Sequence, residues 1–366
     1  MPDVSYWDVI IVGGGPAGST TARYASEGGL KVLVVDGRDP IGSPLQCGEL
    51  VPTNEEMRRL CPDVPEMDDL FRTPENAISR ITKKMRLVPP NGKGLEYDFE
   101  GLVLDRVAHD EALVELAISK GAEYLLGHRV EKVDGESVLL TNGDTLRGRV
   151  IVGAGGHNDP LRRQFWNEGS LNIPVKFVLK DGHHSDALEL HFGSVAPGGY
   201  AWVFPKKEGS NIGVGIQRRL SRGRSLNQFA EDFISRYEGR ETFKGAGSLP
   251  MSGTIKTFVK GNYVIVGDAA GMVLPSNGAG ITIAMIGGRI AGQVISEHIN
   301  DGIELSEYER RWNSQMGKVM RNSKRAFSLG SMMFRLPDWA LNLSFNPLTK
   351  GFIWRAITCR NMFWLF

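Results

Sequence analysis

Short apolar runs along the chain are broken by glycine-rich turns. Asp8 to Val12 reads as a buried-type strand, closed by Gly13-Gly14-Gly15. A helix is expected from about Pro16 to Glu27, with proline in its first turn where the missing N–H costs nothing. A second apolar run, Lys31 to Val35, ends at Asp36. Strand, turn, helix and strand follow at the length of a βαβ unit. Residues 37 to 77 show no clear period and are rich in Pro, Asp and Glu, as in a long ordered excursion with some helix. Arg80 to Leu87 and Gly94 to Phe99 read as two strands joined by a Pro-Pro-Asn-Gly turn.

Asp105 has the place of an N-cap for a helix running to about Lys120 and stopped by Gly121. Val107, Leu113, Leu116 and Ala117 supply its apolar stripe. Short strands follow, with an Asn142-Gly143 turn, and Arg149 to Val152 ends in Gly153-Ala154-Gly155-Gly156. From Ile173 to Ile216 strands alternate with Gly, Pro, Asp and Asn breaks, and a helix is expected over about Leu226 to Tyr237. Tyr263 to Val266 is another buried-type strand, ending at Gly267-Asp268, and a helix runs from about Ala279 to Ile299. The pattern predicts an α/β protein in three parts. Residues 1–165 and 256–300 form a nucleotide-binding domain with 37–100 as an irregular insertion, 166–255 form an inserted antiparallel-sheet domain for substrate, and 301–366 form a helical, aromatic-rich C-terminal segment.

Composition excludes several classes. Net charge is +1, from 43 basic and 42 acidic residues, which argues against a nucleic-acid binder. Three cysteines without a CxxC pair speak against a disulfide scaffold or a zinc site, so no metal is expected and a reducing, cytoplasmic setting is the simplest reading. No signal peptide and no uninterrupted apolar run of membrane-spanning length is seen. There are 45 glycines in 366 residues, well above the usual ~7%, and they cluster where backbone must approach a ligand or itself. Residues 326–366 hold nine of the 31 aromatics, including Phe363, Trp364 and Phe366, with four basic residues and one acidic. Such a segment suits a membrane interface or a helical lid on the body, and the two are compatible.

Gly13-Gly14-Gly15-Pro16-Ala17-Gly18 satisfies GxGxxG in the strand-to-helix context that the dinucleotide fingerprint needs. Gly13 permits the tight turn, Gly15 lets backbone approach a pyrophosphate beside Ala17, and Gly18 lets helix and strand pack closely. Asp36, 21 positions after Gly15, can accept from ribose hydroxyls. Gly267-Asp268-Ala269-Ala270-Gly271, followed by Pro275 and by Gly278-Ala279-Gly280-Ile281 at a helix start, resembles the C-terminal flavin motif of FAD enzymes built like the aromatic hydroxylases. That resemblance implies a Rossmann-like FAD-binding domain. It places Asp268 on the ribityl chain, with Gly280 and Ile281 by the pyrophosphate and the flavin pyrimidine edge. Arg106 resembles the arginine that reaches FAD in this superfamily, and Val130 its adenine-edge contact.

Pro197-Gly-Gly-Tyr200-Ala-Trp202-Val-Phe204-Pro205 fits PxxYxWxFP, and Ile41 to Glu49 carries GSPLQCGE after the second strand. Together they resemble the geranylgeranyl reductase family, most closely its archaeal digeranylgeranylglycerophospholipid branch, from about residue 8 to 300. The resemblance implies an FAD-dependent reductase that saturates isolated C=C bonds of geranylgeranyl chains on membrane-lipid precursors. It implies peripheral contact with the inner face of the cell membrane, and electrons from ferredoxin, a deazaflavin or NAD(P)H. Tyr200, Trp202 and Phe204 would line the prenyl channel, since alternation along a strand turns their rings to one face. Cys47 would be a proton donor near the flavin, and Gly48 and Leu50 would lend backbone beside its ring system. The usual GADG acid is replaced at Gly155, which weakens direct NAD(P)H use, and there is no second GxGxxG. Other readings are a reductase of a menaquinone tail or prenyl diphosphate, an oxygen-using aromatic monooxygenase or halogenase, and a non-catalytic flavin or lipid binder.

Overall fold

A computed structural model describes residues 6–183 and 185–362; Phe363, Trp364 and Phe366 lie outside the described residues. The chain opens with β1 (Tyr6–Val12), α1 (Pro16–Glu27) and β2 (Val32–Asp36). Next come β3 (Leu50–Pro52), two short helices α2 (Asn54–Leu60) and α3 (Met67–Leu70), and the hairpin β4 (Ile78–Val88) and β5 (Leu95–Leu104). Helix α4 (Arg106–Ser119) leads to β6 (Glu123–Leu126), β7 (Val130–Asp134), β8 (Ser137–Leu140), β9 (Thr145–Gly153) and α5 (Pro160–Phe165). Then follow β10 (Asn172–Asp181), β11 (Leu188–His191), β12 (Tyr200–Pro205), β13 (Gly209–Gly215), α6 (Leu226–Ile234) and β14 (Arg240–Pro250). Last come β15 (Val259–Lys260), β16 (Tyr263–Ile265) and four helices: α7 (Ile281–Asp301), α8 (Glu307–Met333), α9 (Asp338–Ser344) and α10 (Lys350–Ile357).

Two eight-stranded sheets organise these elements. The first runs β15-β16-β9-β1-β2-β6, with β7 and β8 attached at β9, and its central strands β16, β9, β1, β2 and β6 are parallel. Val9, Ile10 and Ile11 are fully buried there, as a parallel strand covered on both faces requires. The second sheet runs β14-β10-β13-β12-β11-β4-β5-β3 and is antiparallel except where β11 meets β4. The structure therefore differs from the expected domain division at 37–100. Strands β3, β4 and β5 belong to the second sheet rather than to an irregular excursion on the first. The physical reason is that an isolated hairpin is marginal in water, and the Met85–Val88 end of β4 gains a ladder by adding to β11.

Close backbone approach sets the geometry between α1 and α7. A Cβ on Gly288 would stand 2.5 Å from Ala17 O, and one on Gly292 would stand 2.6 Å from Thr21 O. These glycines let α7 lie directly on α1, which carries the α7 start to the loop where α1 begins. Asp105 caps α4 as expected, its carboxylate accepting from the Val107 and Ala108 amides.

Candidate functional site

The loop between β1 and α1 has the shape that a phosphate cradle needs. Gly13 has φ +105°, and a Cβ there would sit 2.5 Å from Ala154 O. A Cβ on Gly18 would sit 1.8 Å from Gly13 O. Gly15 differs: its φ is ordinary and the nearest atom to a Cβ is Arg38 Nη2 at 3.8 Å, so its face is open. The backbone at Gly15 can therefore be approached closely at the α1 start, where a pyrophosphate would be favoured. Asp36 is buried at the end of β2 and accepts from the Gly14 amide at 2.7 Å. It also accepts from Arg38 Nε and Nη2, at 3.1 and 3.0 Å. Despite its burial, Arg38 and the Gly14 amide hold this carboxyl below its usual range. Arg38 was not singled out from sequence. Val130 begins β7 beside this corner, where the adjoining Arg129 side chain covers Gly37.

A second polar group lies where α4 and α7 begin. Arg106 makes a two-point ion pair with Asp110, at 3.0 and 2.7 Å. Burial disfavours the Arg106 charge, but Asp110 and neighbouring Cys47 more than offset this and raise its pKa. Burial likewise opposes ionisation of Asp110, yet Arg106 and the His109 ring hold it down to about 2. Asp268 stands close by, its Oδ1 3.6 Å from the place of a Cβ on Gly280. Burial pushes Asp268 up to about 6, only partly countered by Arg106. An acid in that condition fits a ligand hydroxyl that would donate to it. With the open Gly15 face, these features fit a phosphate-bridged dinucleotide that runs from Asp36 to the α7 start.

Beyond the α7 start opens a cavity of about 1200 Å³, its mouth included. Cys47, Gly48, Leu50, Gly280 and Ile281 line one end. Tyr200, Trp202 and Phe204 form one wall, while Ala201 and Val203 point away into the core under α6. The remainder is apolar, with Met57, Leu60, Met85, Phe99, Leu190, Val319, Trp354 and Ile357 among its residues. Gly213 makes room for the wall, since a Cβ there would meet the Trp202 ring at 2.3 Å. The Tyr200 hydroxyl donates to Asn277 O at 2.6 Å and the Trp202 indole N–H to Asn211 Oδ1 at 2.9 Å, so both rings are pinned.

Every candidate residue thus falls in one of three adjoining places. Gly13, Gly15, Ala17, Gly18, Asp36 and Val130 surround the β1–α1 loop and the end of β2; Arg106 and Asp268 sit where α4 and α7 begin; the rest line the cavity. Cys47 Sγ accepts from the Glu49 amide at 3.2 Å and is half-buried. Other residues escaped the sequence reading. Cys61 and Cys359 come from distant segments yet both line the cavity. A buried acid does stand beside Gly155: Asp159, the N-cap of α5, accepts from the Gly155 amide at 2.8 Å and from Arg162 N at 2.9 Å. Its signal was present, an Asp directly before Pro160 at a helix start.

Comparison with known proteins agrees with this geometry. Residues 11–50 match an NAD(P)-binding Rossmann-like domain, and residues 172–247 match the geranylgeranyl reductase catalytic domain. The chain belongs to the geranylgeranyl reductase family of oxidoreductases. It is 31% identical to digeranylgeranylglycerophospholipid reductase 3 of Methanosphaera stadtmanae, over 96% of this chain and 93% of that one. It is 33% identical to the digeranylgeranylglycerophospholipid reductase of Methanosarcina acetivorans, over 87% and 82%. Among solved structures, a geranylgeranyl bacteriochlorophyll reductase-like protein from Thermoplasma acidophilum superposes with a TM-score of 0.81 at 25% identity, covering 96% of both chains. A flavin-dependent brominase shares the fold at a TM-score of 0.70 and 19% identity, over 97% of this chain and 94% of that one.

Proposed function

We propose that this protein is an FAD-dependent reductase that saturates the C=C bonds of geranylgeranyl chains on glycerophospholipid precursors. The observation that carries the reading is the junction itself: a long apolar cavity walled by Tyr200, Trp202 and Phe204 opens directly onto the α7 end of a dinucleotide cradle. The names of the relatives point to the same substrate.

In this reading Gly13, Gly15, Ala17 and Gly18 hold the pyrophosphate, and Asp36 and Val130 the adenosine end. Arg106 and Asp268 hold the ribityl region. Gly280 and Ile281 offer helix-start amides to the pyrimidine edge, where reduction builds negative charge. FAD, when bound, supplies the hydride for an alkene that has no carbonyl to polarise it. The chain's own residues exclude water, fix the prenyl chain against the aromatic wall and deliver a proton. Cys47 is the candidate for that last role, because its thiol faces the cavity beside Arg106. The electron donor is ferredoxin, a deazaflavin or NAD(P)H.

No helix among the described residues is long and apolar enough to cross a membrane. A lipid substrate is then met at the bilayer surface, at the inner face of the cell membrane, through the aromatic C-terminal segment. The test is anaerobic: reduce the flavin-loaded protein with dithionite, add digeranylgeranylglyceryl phosphate and weigh the product. A ladder of added hydrogen pairs is expected. An unchanged lipid mass with flavin bound would rule out this substrate.

A further inference from the structure

Glu49 makes a set of contacts that the proposed reaction does not require by itself. Its backbone is left-handed, with φ +69°, in a residue that carries a full side chain. Its carboxylate is almost completely buried. Oε1 accepts from Lys206 Nζ at 2.7 Å and Oε2 from Asn211 Nδ2 at 3.0 Å. Lys206 is tied down in turn, donating to Leu104 O at 2.8 Å.

Asn211 is the branching point. It is fully buried, and its Oδ1 accepts the Trp202 indole N–H at 2.9 Å. Its Nδ2 also donates to Cys47 O at 3.0 Å. The Glu49 amide meanwhile donates to Cys47 Sγ at 3.2 Å. Gly48 between them is pressed against the wall, where a Cβ would meet the Phe204 ring at 3.1 Å and Trp202 Nε1 at 3.4 Å. One carboxylate therefore orients the amide that holds Trp202 and also fixes the strained turn that presents the Cys47 thiol.

We infer that Glu49, held by Lys206 and Asn211, is a positioning residue that keeps the Cys47 thiol and the Trp202 ring in a fixed relation across the cavity. The inference rests on the reductase reading for its kinetic consequence, but not for its structural one. Glu49 borders the cavity, but both of its carboxylate oxygens are taken up by Lys206 and Asn211, so it acts through Asn211 and through its own backbone. An uncharged side chain cannot replace it, since Lys206 would lose its counter-charge in a mostly buried place. The left-handed backbone is retained because the tethers over-determine it.

The test uses flavin-loaded protein labelled with nitrogen-15 at its tryptophans, the Trp202 indole signal being assigned by its loss in Trp202→Phe. Glu49→Gly suits φ +69° while deleting the carboxylate. It is expected to make Trp202 indole hydrogen exchange at least about tenfold faster, because the acceptor on Asn211 is no longer held. It is also expected to lower kcat about tenfold while KM for the prenyl lipid stays within about twofold, since misplacement costs the reacting geometry rather than the binding area. Lys206→Met frees the same carboxylate from its other side and should shift exchange and kcat in the same directions. Wild-type exchange and kcat in Glu49→Gly would overturn the inference; should that variant not fold, wild-type exchange in Lys206→Met would do so. If the wild type reduces no prenyl lipid, the reductase reading falls, and the exchange comparison still decides the role of Glu49.

Discussion

Trp354 of α10 stacks on Tyr97 of β5, with ring centroids 4.4 Å apart and planes 10° from parallel. Phe99 meets the same indole edge-on, at 6.0 Å and 83°. The Tyr97 hydroxyl then donates to Lys350 O at 3.0 Å, so β5 and α10 are joined at two points. This pairing brings the C-terminal segment over the cavity, because Trp354, Ile357, Thr358 and Cys359 all line it. Trp354→Ala should lower stability by about 1–3 kcal/mol, less than for a fully buried tryptophan, because the ring remains partly exposed. It should also raise KM for a long prenyl chain more than for a short one, since a longer chain covers more of the apolar wall to which Trp354 belongs. Urea unfolding and kinetics on two chain lengths check this. Equal KM changes for both lengths would show that Trp354 does not contact the chain.

The glycine loop separates folding from cofactor retention. Gly15→Ala meets nothing closer than 3.8 Å and needs no unusual φ. It should therefore fold with an unchanged melting temperature as apoprotein, yet carry little flavin, because the added methyl stands where phosphate must approach. Gly18→Ala places a Cβ 1.8 Å from Gly13 O, so it should destabilise the apoprotein itself. The ratio of flavin absorbance to protein, with apoprotein melting, distinguishes the two. A flavin-replete Gly15→Ala protein would sink the assignment of this loop.

Buried aspartates set both flanks of the stability profile, Asp110 on the acid side and Asp159 together with Asp268 on the other. Burial pushes Asp159 up to about 6, although the Arg162 and Gly155 amides oppose it. Asp110 goes the other way and is held at about 2. An unfolded aspartate titrates near 3.9. Folded Asp159 holds its proton more tightly than the unfolded chain does, so its contribution is full below about pH 4 and is lost as pH rises through 6. Asp110 contributes fully above about pH 4, and that contribution is lost as pH falls towards 2. Each aspartate contributes about 2–3 kcal/mol, so apoprotein stability should be greatest near pH 4 and fall on both sides, towards pH 2 and towards pH 6. Urea midpoints at several pH values test this. Asp110→Asn should flatten only the acid flank and Asp159→Asn should roughly halve the other, Asp268 supplying the rest; a flank unchanged by its variant would refute the assignment.

Local features carried much of the fold. Proline at the first position and glycines at both ends define α1, whose expected and observed limits coincide. The β4–β5 hairpin was also legible, since its turn and alternation are local. Its partner was not, because the choice between sheets depends on register with β11 about a hundred residues on. The aromatic strand Tyr200–Phe204 was legible as a one-faced wall for the same reason that α1 was. Glu49 was not, since its role exists only through Lys206 and Asn211, 157 and 162 positions away. Asp36 was placed correctly at the end of β2, but its pairing with Arg38 two residues later is a matter of side-chain direction that no periodicity encodes.

The C-terminal segment has two faces, and the outer one makes the last prediction. Trp339 and Leu343 stand one helical turn apart on α9, 68% and 69% exposed. Met332 at 68% and Leu348 at 96% are likewise exposed, before and after α9 in the chain. The one acidic residue of 326–366, Asp338, is engaged by the Ser194 amide and hydroxyl, at 3.0 and 2.6 Å. Four basic residues against that one acid leave the segment net positive, which suits an anionic bilayer surface. Insertion of one Trp and one Leu contributes roughly 2 kcal/mol each, so Trp339→Glu/Leu343→Glu should reduce sedimentation with anionic vesicles by at least about tenfold. Both side chains already face solvent, so melting temperature should hold. Activity on detergent-dispersed lipid should hold as well, while activity on vesicle-borne lipid falls. Unchanged sedimentation of the double variant would exclude this face as the docking surface and leave the inner face, with Trp354, as the sole role for the aromatic segment within the described residues.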